Sequence, residues 1–203
     1  FTNIYADIVG NLAAKPFGEE LTLAGEPNKV YADLTEDIDG RGNNLHAFAS
    51  VAFKRAISYG VDWILVDYTR PRSRADGQPL SIAEERAQGL RPYWVHVPAT
   101  RLLAVYTGKS KGREVVVHAR ILEHTVRRDG YSEALVSQIR ILNRDPVYEV
   151  LQDGTQTDVI VDYAPATFEV MQKVSSIRRR GQGWQTIDSG PISIGEIALV
   201  PVL

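Results

Sequence analysis

Ser110 sits in the setting that most suggests catalysis: Gly108-Lys109-Ser110-Lys111-Gly112 fits G-x-S-x-G, the spacing that lifts a serine nucleophile on a tight strand-to-helix turn. The residues that follow, Glu114-Val115-Val116-Val117, read as a strand, and no acid and then histidine lies downstream at triad spacing. A polar hairpin turn is therefore expected there. Gly108-Lys109-Ser110 also mimics the end of a P-loop, but the first glycine of that motif would fall at Leu103 and no helix follows. Asp37-Ile38-Asp39-Gly40-Arg41-Gly42 has the look of a calcium loop, which needs alternate oxygen ligands and a bidentate Glu at the twelfth position. Arg41 stands at the fifth position and Phe48 at the twelfth, so a turn leading into a helix cap is expected instead. His46, His96, His118 and His124 are spread over a helix and two β segments. Three of them could form a metal site or serve a small hydrolase, but isolated strand histidines are more often ordinary half-buried residues. No catalytic residue, metal or cofactor is expected.

Arginine carries the remaining chemistry. Arg70, Arg72 and Arg74 lie in a Pro-containing loop, Arg127 and Arg128 flank an expected hairpin tip, and Arg178-Arg179-Arg180 precedes Gly181. Exposed loop arginines are commonly just solvated charge. The planar guanidinium also suits bidentate contact with phosphate or with an acidic neighbouring subunit, which makes all eight candidates for subunit or DNA contact. No aromatic residues are interleaved with them as base stacking would require.

The elements that must hold these residues fall into two styles. Ile4, Ile8 and Leu12 recur at helical spacing after a Thr2 cap and before Pro16 and Gly18, and Leu21-Thr22-Leu23 suggests a short strand. Asn43 or Asn44 caps a longer helix with Leu45, Phe48, Ala49, Ala52, Ala56 and Ile57 on one face and Gly60 past its end. A strand over 61–68, an exposed loop over 69–79 and a helix opened by the capping box Ser81-x-x-Glu84 and ended by Gly89 follow. From Tyr93 the pattern becomes short β-rich runs at 93–97, 102–106, 115–123, 134–142, 147–151, 159–163, 168–174, 184–187 and 197–202. Asp129-Gly130 and Asp153-Gly154 supply hairpin turns. The expected fold is α+β, N-terminal helices packed on a mostly antiparallel β-meander sheet. It forms one domain over 1–203, with a subdomain seam near 92 between a helix-rich 1–91 and a β-rich 92–203.

Bulk properties narrow the classes further. With 203 residues, 44% hydrophobic and 24% charged, the chain can bury a core unaided, which excludes disordered and collagen-like classes. No apolar run is long enough for a membrane helix, so no membrane partner is expected. Absence of cysteine removes disulfides and thiolate chemistry. A formal charge of -2 argues against a surface that grips nucleic acid everywhere. The start at Phe1, the single Met171 and the apolar end Val200-Pro201-Val202-Leu203 suggest a piece of a longer chain.

Several segments together resemble a pattern of the portal proteins of tailed bacteriophages, most closely a portal-like family long classed as of unknown function. They are Asp37-Ile38-Asp39-Gly40 through Leu45, Phe48 and Ala49; Ala56-Ile57-Ser58-Tyr59-Gly60; and Ile64-Leu65-Val66-Asp67-Tyr68. Arg91-Pro92-Tyr93-Trp94-Val95 with Pro98-Ala99, Gln138-Ile139-Arg140-Ile141-Leu142, Gly183-Trp184, and Ile194-Gly195-Glu196-Ile197-Ala198-Leu199-Val200-Pro201-Val202 follow in the family's order. The resemblance implies the wing region of a non-enzymatic subunit, in a homo-oligomeric ring typically of twelve copies at a capsid vertex. Double-stranded DNA would pass through the ring. Its partners would be the terminase motor, the head-completion and tail proteins and the capsid protein, and its place the virion, after assembly in the host bacterial cytoplasm. The alternatives are a small hydrolase built on Ser110 or a histidine cluster, and a nucleic-acid-binding module built on Arg178 to Arg180.

Overall fold

The computed structural model describes residues 3–69, 80–175 and 182–203. The chain is α+β: among the described residues the four α-helices all lie in the first half, and the sheets are antiparallel. Its backbone packs as two compact units, Phe1–Ala99 with Leu199–Leu203, and Thr100–Ala198. The division thus falls after Ala99, and the last strand returns to the first unit.

In the first unit, α1 (Ile4–Ala14) is capped by Asn3, whose side chain accepts from the Ala6 N–H; Thr2, the expected cap, lies outside the described residues. Helical spacing gives this helix correctly but not its inward face. Val9 and Ala13 are buried, whereas the Ile4, Ile8 and Leu12 row is exposed. The strand expected at Leu21 to Leu23 does not form, because no neighbouring strand pairs with it; the Leu21 N–H donates instead to His46 Nδ1 (3.1 Å). A helix not anticipated from the sequence, α2 (Lys29–Glu36), starts at Asn28. The longest helix, α3 (Leu45–Tyr59), begins where Asn44 accepts from the Ala47 N–H and stops at Gly60, whose φ of 82° is the left-handed C-cap conformation. Phe48, Ala52 and Ala56 are its buried face, while Ile57 stays exposed.

That face packs on a three-stranded antiparallel sheet in the order β10-β1-β2, formed by β1 (Asp62–Tyr68), β2 (Pro92–Val97) and β10 (Leu199–Val202). Leu65, Val97 and Leu199 complete the core. Residues 70–79, with the expected loop arginines, lie outside the described residues. Ser81 and Glu84 close the capping box on α4 (Ile82–Ala87): the Ser81 N–H donates to Glu84 Oε2 (2.8 Å), and the Glu84 N–H to Ser81 Oγ.

The second unit is a five-stranded antiparallel sheet, β3-β4-β5-β8-β9, with a separate two-stranded ribbon, β6-β7, inserted before β8. Its strands are β3 (Leu102–Ser110), β4 (Arg113–Asp129), β5 (Ser132–Asn143), β6 (Pro146–Val150), β7 (Gln156–Tyr163), β8 (Thr167–Ser175) and β9 (Gln182–Pro191). Ala119, Ile121, Leu142, Phe168 and Val170 form its buried core. The turns follow local chemistry. Lys111 (φ 48°) and Gly112 (φ 78°) both take positive φ between Ser110 and Arg113, the type I′ geometry that matches strand twist. Gly130 alone does so in the Gly130-Tyr131 turn, as in type II′.

Candidate functional site

The most constrained polar group of the first unit is Asp62, whose side chain is 0% exposed. Its position at the start of β1 brings it beside β2 and the turn that follows. Oδ1 accepts from the Ala99 N–H (2.7 Å), and Oδ2 lies 2.5 Å from His96 Nε2. The His96 ring stands edge-on to Phe48, which also meets Trp94. Both carboxylate oxygens are thus satisfied by the fold itself, and the pair serves as a clamp joining β1 to the end of β2.

A second clamp lies at the entrance to α3. Asp37 Oδ1 accepts from the Gly42 N–H (2.7 Å), and Oδ2 meets Arg91 Nη2 (2.6 Å), while Arg91 Nη1 donates to the Asp37 carbonyl. Asp39 accepts from the N–H groups of Arg41 and Asn43 and from the Asn43 side-chain amide. Partial burial opposes its charge, but those donors outweigh it and hold the Asp39 carboxyl below the usual range. Asp37 is thus committed to the Gly42 N–H and Arg91, and Asp39 to Arg41 and Asn43, which is the turn expected from the sequence. Buried Ile38, between them, accepts from the Trp94 N–H (2.9 Å).

In the second unit Ser110 stands at the β3-β4 turn, not on a strand-to-helix elbow. Its hydroxyl donates to Asp162 Oδ1 (2.6 Å), and Lys111 Nζ lies 3.1 Å from Asp162 Oδ2. The Ser110 hydroxyl, the Tyr163 N–H and Lys111 hold the Asp162 carboxyl far below its ordinary range. These contacts tie the β3-β4 turn to the end of β7. Alongside, Tyr163 crosses the β3 backbone at Gly108, where a side chain would collide with its ring. Buried Arg144 donates from Nε to the Ala164 carbonyl (2.9 Å) and from Nη2 to the Tyr163 carbonyl (3.0 Å).

The four histidines do not converge. His46 receives the Leu21 N–H beside Phe17, His96 is held by Asp62, His118 packs against Tyr106 and approaches Asn143 Oδ1 (3.2 Å), and His124 is exposed. Among the described residues no three His, Cys, Asp or Glu side chains are grouped to hold a metal ion. Of the arginine candidates, Arg127 and Arg128 sit near the β4-β5 tip, with Arg128 paired to Glu133 (2.9 Å). Arg70, Arg72, Arg74, Arg178, Arg179 and Arg180 lie outside the described residues. Sequence reasoning missed Asp62, whose partners are 34 and 37 residues away, and the Asp162 anchor, 52 residues from Ser110.

Fold and site together define an α+β protein with antiparallel sheets in both units, held by carboxylate clamps. No helix among the described residues is long and apolar enough to cross a membrane. Neither protein-family models nor curated proteins yield a match to this chain.

Proposed function

We propose that this chain is the wing region of a phage portal-type subunit, a structural component of a homo-oligomeric ring at a capsid vertex. The ring is the conduit for double-stranded DNA during packaging and ejection. It docks the terminase motor and then the head-completion and tail proteins, within a shell of capsid protein.

One observation supports this reading above the others. Segments that resemble the portal pattern are scattered from Asp37 to Val202 in the sequence, yet most of them pack into one substructure. The 37–40 turn is tied to Arg91 and Trp94, Phe48 of α3 meets Trp94, and β1 pairs with both the 92–97 and the 199–202 strands. A collinear pattern that folds into a single interlocked cluster behaves as one structural signature rather than as unrelated coincidences. Exposed apolar residues on α1 and on the β6-β7 ribbon fit a chain that completes its surface through assembly.

Light scattering on the full-length protein that carries this sequence tests the reading. A mass that is a high fixed multiple of the subunit, unchanged over a hundredfold dilution, is expected. A monomer at every concentration and salt would overturn it.

A further inference from the structure

Between α1 and the clamped Asp37 turn runs a stretch with little hold on the rest of the first unit. Every residue from Gly18 to Tyr31 is exposed, and α2, which fills its second half, has no buried residue. Its two ends are fixed. Before it, the Phe17 ring lies against Phe53 (centroids 5.7 Å apart) and His46 (5.6 Å) of α3; after it, Asp37 is held by Arg91 (2.6 Å) and by the Gly42 N–H (2.7 Å). Among the described residues one hydrogen bond ties the intervening 19–36 to another secondary-structure element, from the Leu21 N–H to His46 Nδ1 at 3.1 Å. The other bonds of this strap close on itself: Asn28 caps α2, Lys29 pairs with Asp33, and the Thr35 hydroxyl donates to the Ala32 carbonyl. No buried residue and a single tether put such a segment at the low-stability end of a fold.

The tether depends on a proton. A backbone N–H only donates, so Nδ1 of His46 turns its lone pair toward Leu21 and the neutral ring carries its proton on Nε2. In the imidazolium both ring nitrogens are donors, and two N–H groups then point at each other across the former bond. Imidazole is the side chain that makes this change between pH 5 and 8, and His46 is only half-buried, in the first turn of α3. Charged groups on the elements that touch the ring are Lys15 beside the Phe17 contact, Glu19, Glu20 and Glu26 on the strap, and Lys54 and Arg55 further along α3. Among the described residues none of them bonds to the ring. Whichever carboxylate takes a hydrogen bond from an imidazolium, Leu21 has lost its acceptor.

We propose that His46 is a proton-operated latch: neutral, it holds the 19–36 strap on α3; protonated, it frees the strap while Phe17 and the Asp37 clamp keep both ends in place. The latch belongs to the first unit and stands independently of the ring reading.

The test uses the whole chain, which has no native cysteine, with a pH-insensitive dye on Thr22→Cys in the strap and, in a separate variant, on Val51→Cys of α3 as the control. Dye anisotropy is followed from pH 8 to pH 5. The strap dye is expected to lose anisotropy along a single-proton curve while the α3 dye stays constant. The freed population should rise about tenfold, the ~1.4 kcal/mol of one hydrogen bond. His46→Gln keeps an acceptor that does not titrate and is expected to hold the strap dye at its pH 8 anisotropy throughout. His46→Phe has no acceptor and is expected to give the low value at every pH. A strap dye that follows the wild-type curve in either variant, or that shows no change in wild type, would overturn the latch. Loss of anisotropy at both dye positions together would mean acid unfolding of the unit and would overturn it as well.

Discussion

Replacing Asp62 by Ala removes the acceptor of two hydrogen bonds in a fully buried position. Truncation leaves the Ala99 N–H and the His96 ring without their partner, and each polar group so orphaned costs about 1–3 kcal/mol, about 2–6 kcal/mol in all. With a urea m-value of about 2 kcal/mol/M, the middle of that range corresponds to a midpoint lowered by roughly 2 M. The cleanest assay follows Trp63 and Trp94 fluorescence in a Trp184→Phe background, so that only the first unit reports. His96→Phe keeps an aromatic ring against Phe48 but breaks the bond to Asp62. In the double-mutant cycle, Asp62→Ala and His96→Phe are expected to couple by at least about 1 kcal/mol. Costs that add within about 0.5 kcal/mol, or an Asp62→Ala midpoint within about 0.3 M of wild type, would refute the clamp.

Three other outcomes follow from the second unit. Because the folded Asp162 carboxyl titrates below its unfolded value of about 3.9, its stabilisation is complete above that pH and is lost as pH falls through the folded value. The Asp162 carboxyl carbon should therefore still report the ionised form at pH 3 by NMR, and Ser110→Ala should move its titration upward; an ordinary midpoint would contradict the anchor. Gly108→Ala forces the Tyr163 ring aside at a cost of about 1–3 kcal/mol in urea unfolding read by Trp184, and a neutral result would show that the crossing is loose. Arg144→Lys cannot reach the Tyr163 and Ala164 carbonyls together and should lose about 1.5–3 kcal/mol by the same readout, whereas an unchanged midpoint would mean that the fork is not needed.

The parts legible in the sequence are those with local causes. Asn44 and Gly60 bound α3, Ser81 and Glu84 open α4, and the β-rich runs surface as strands because their turns are encoded beside them. Whatever depends on distant partners was hidden. Only eight residues long, α2 offers Val30, Tyr31 and Leu34 as its whole apolar signal, too short a stretch to stand out from a loop. The Leu-Thr-Leu alternation at 21–23 suggests a strand, but a strand needs a neighbour that only the tertiary fold can supply. Ile4, Ile8 and Leu12 show that spacing reveals a helix without revealing which side faces inward, since small Val9 and Ala13 fit against α3. Asp62 reads as an ordinary strand-edge acid until His96 and Ala99 are brought to it. Ser110 shows the converse: a G-x-S-x-G spacing that falls on a hairpin turn, with its hydroxyl on a distant carboxylate, and not on a strand-to-helix elbow.

Negative-stain imaging of the full-length protein tests the central claim most directly. The portal reading predicts uniform rings with a central hole wide enough for a DNA duplex. Compact single particles of subunit size, at every concentration and salt, would contradict it.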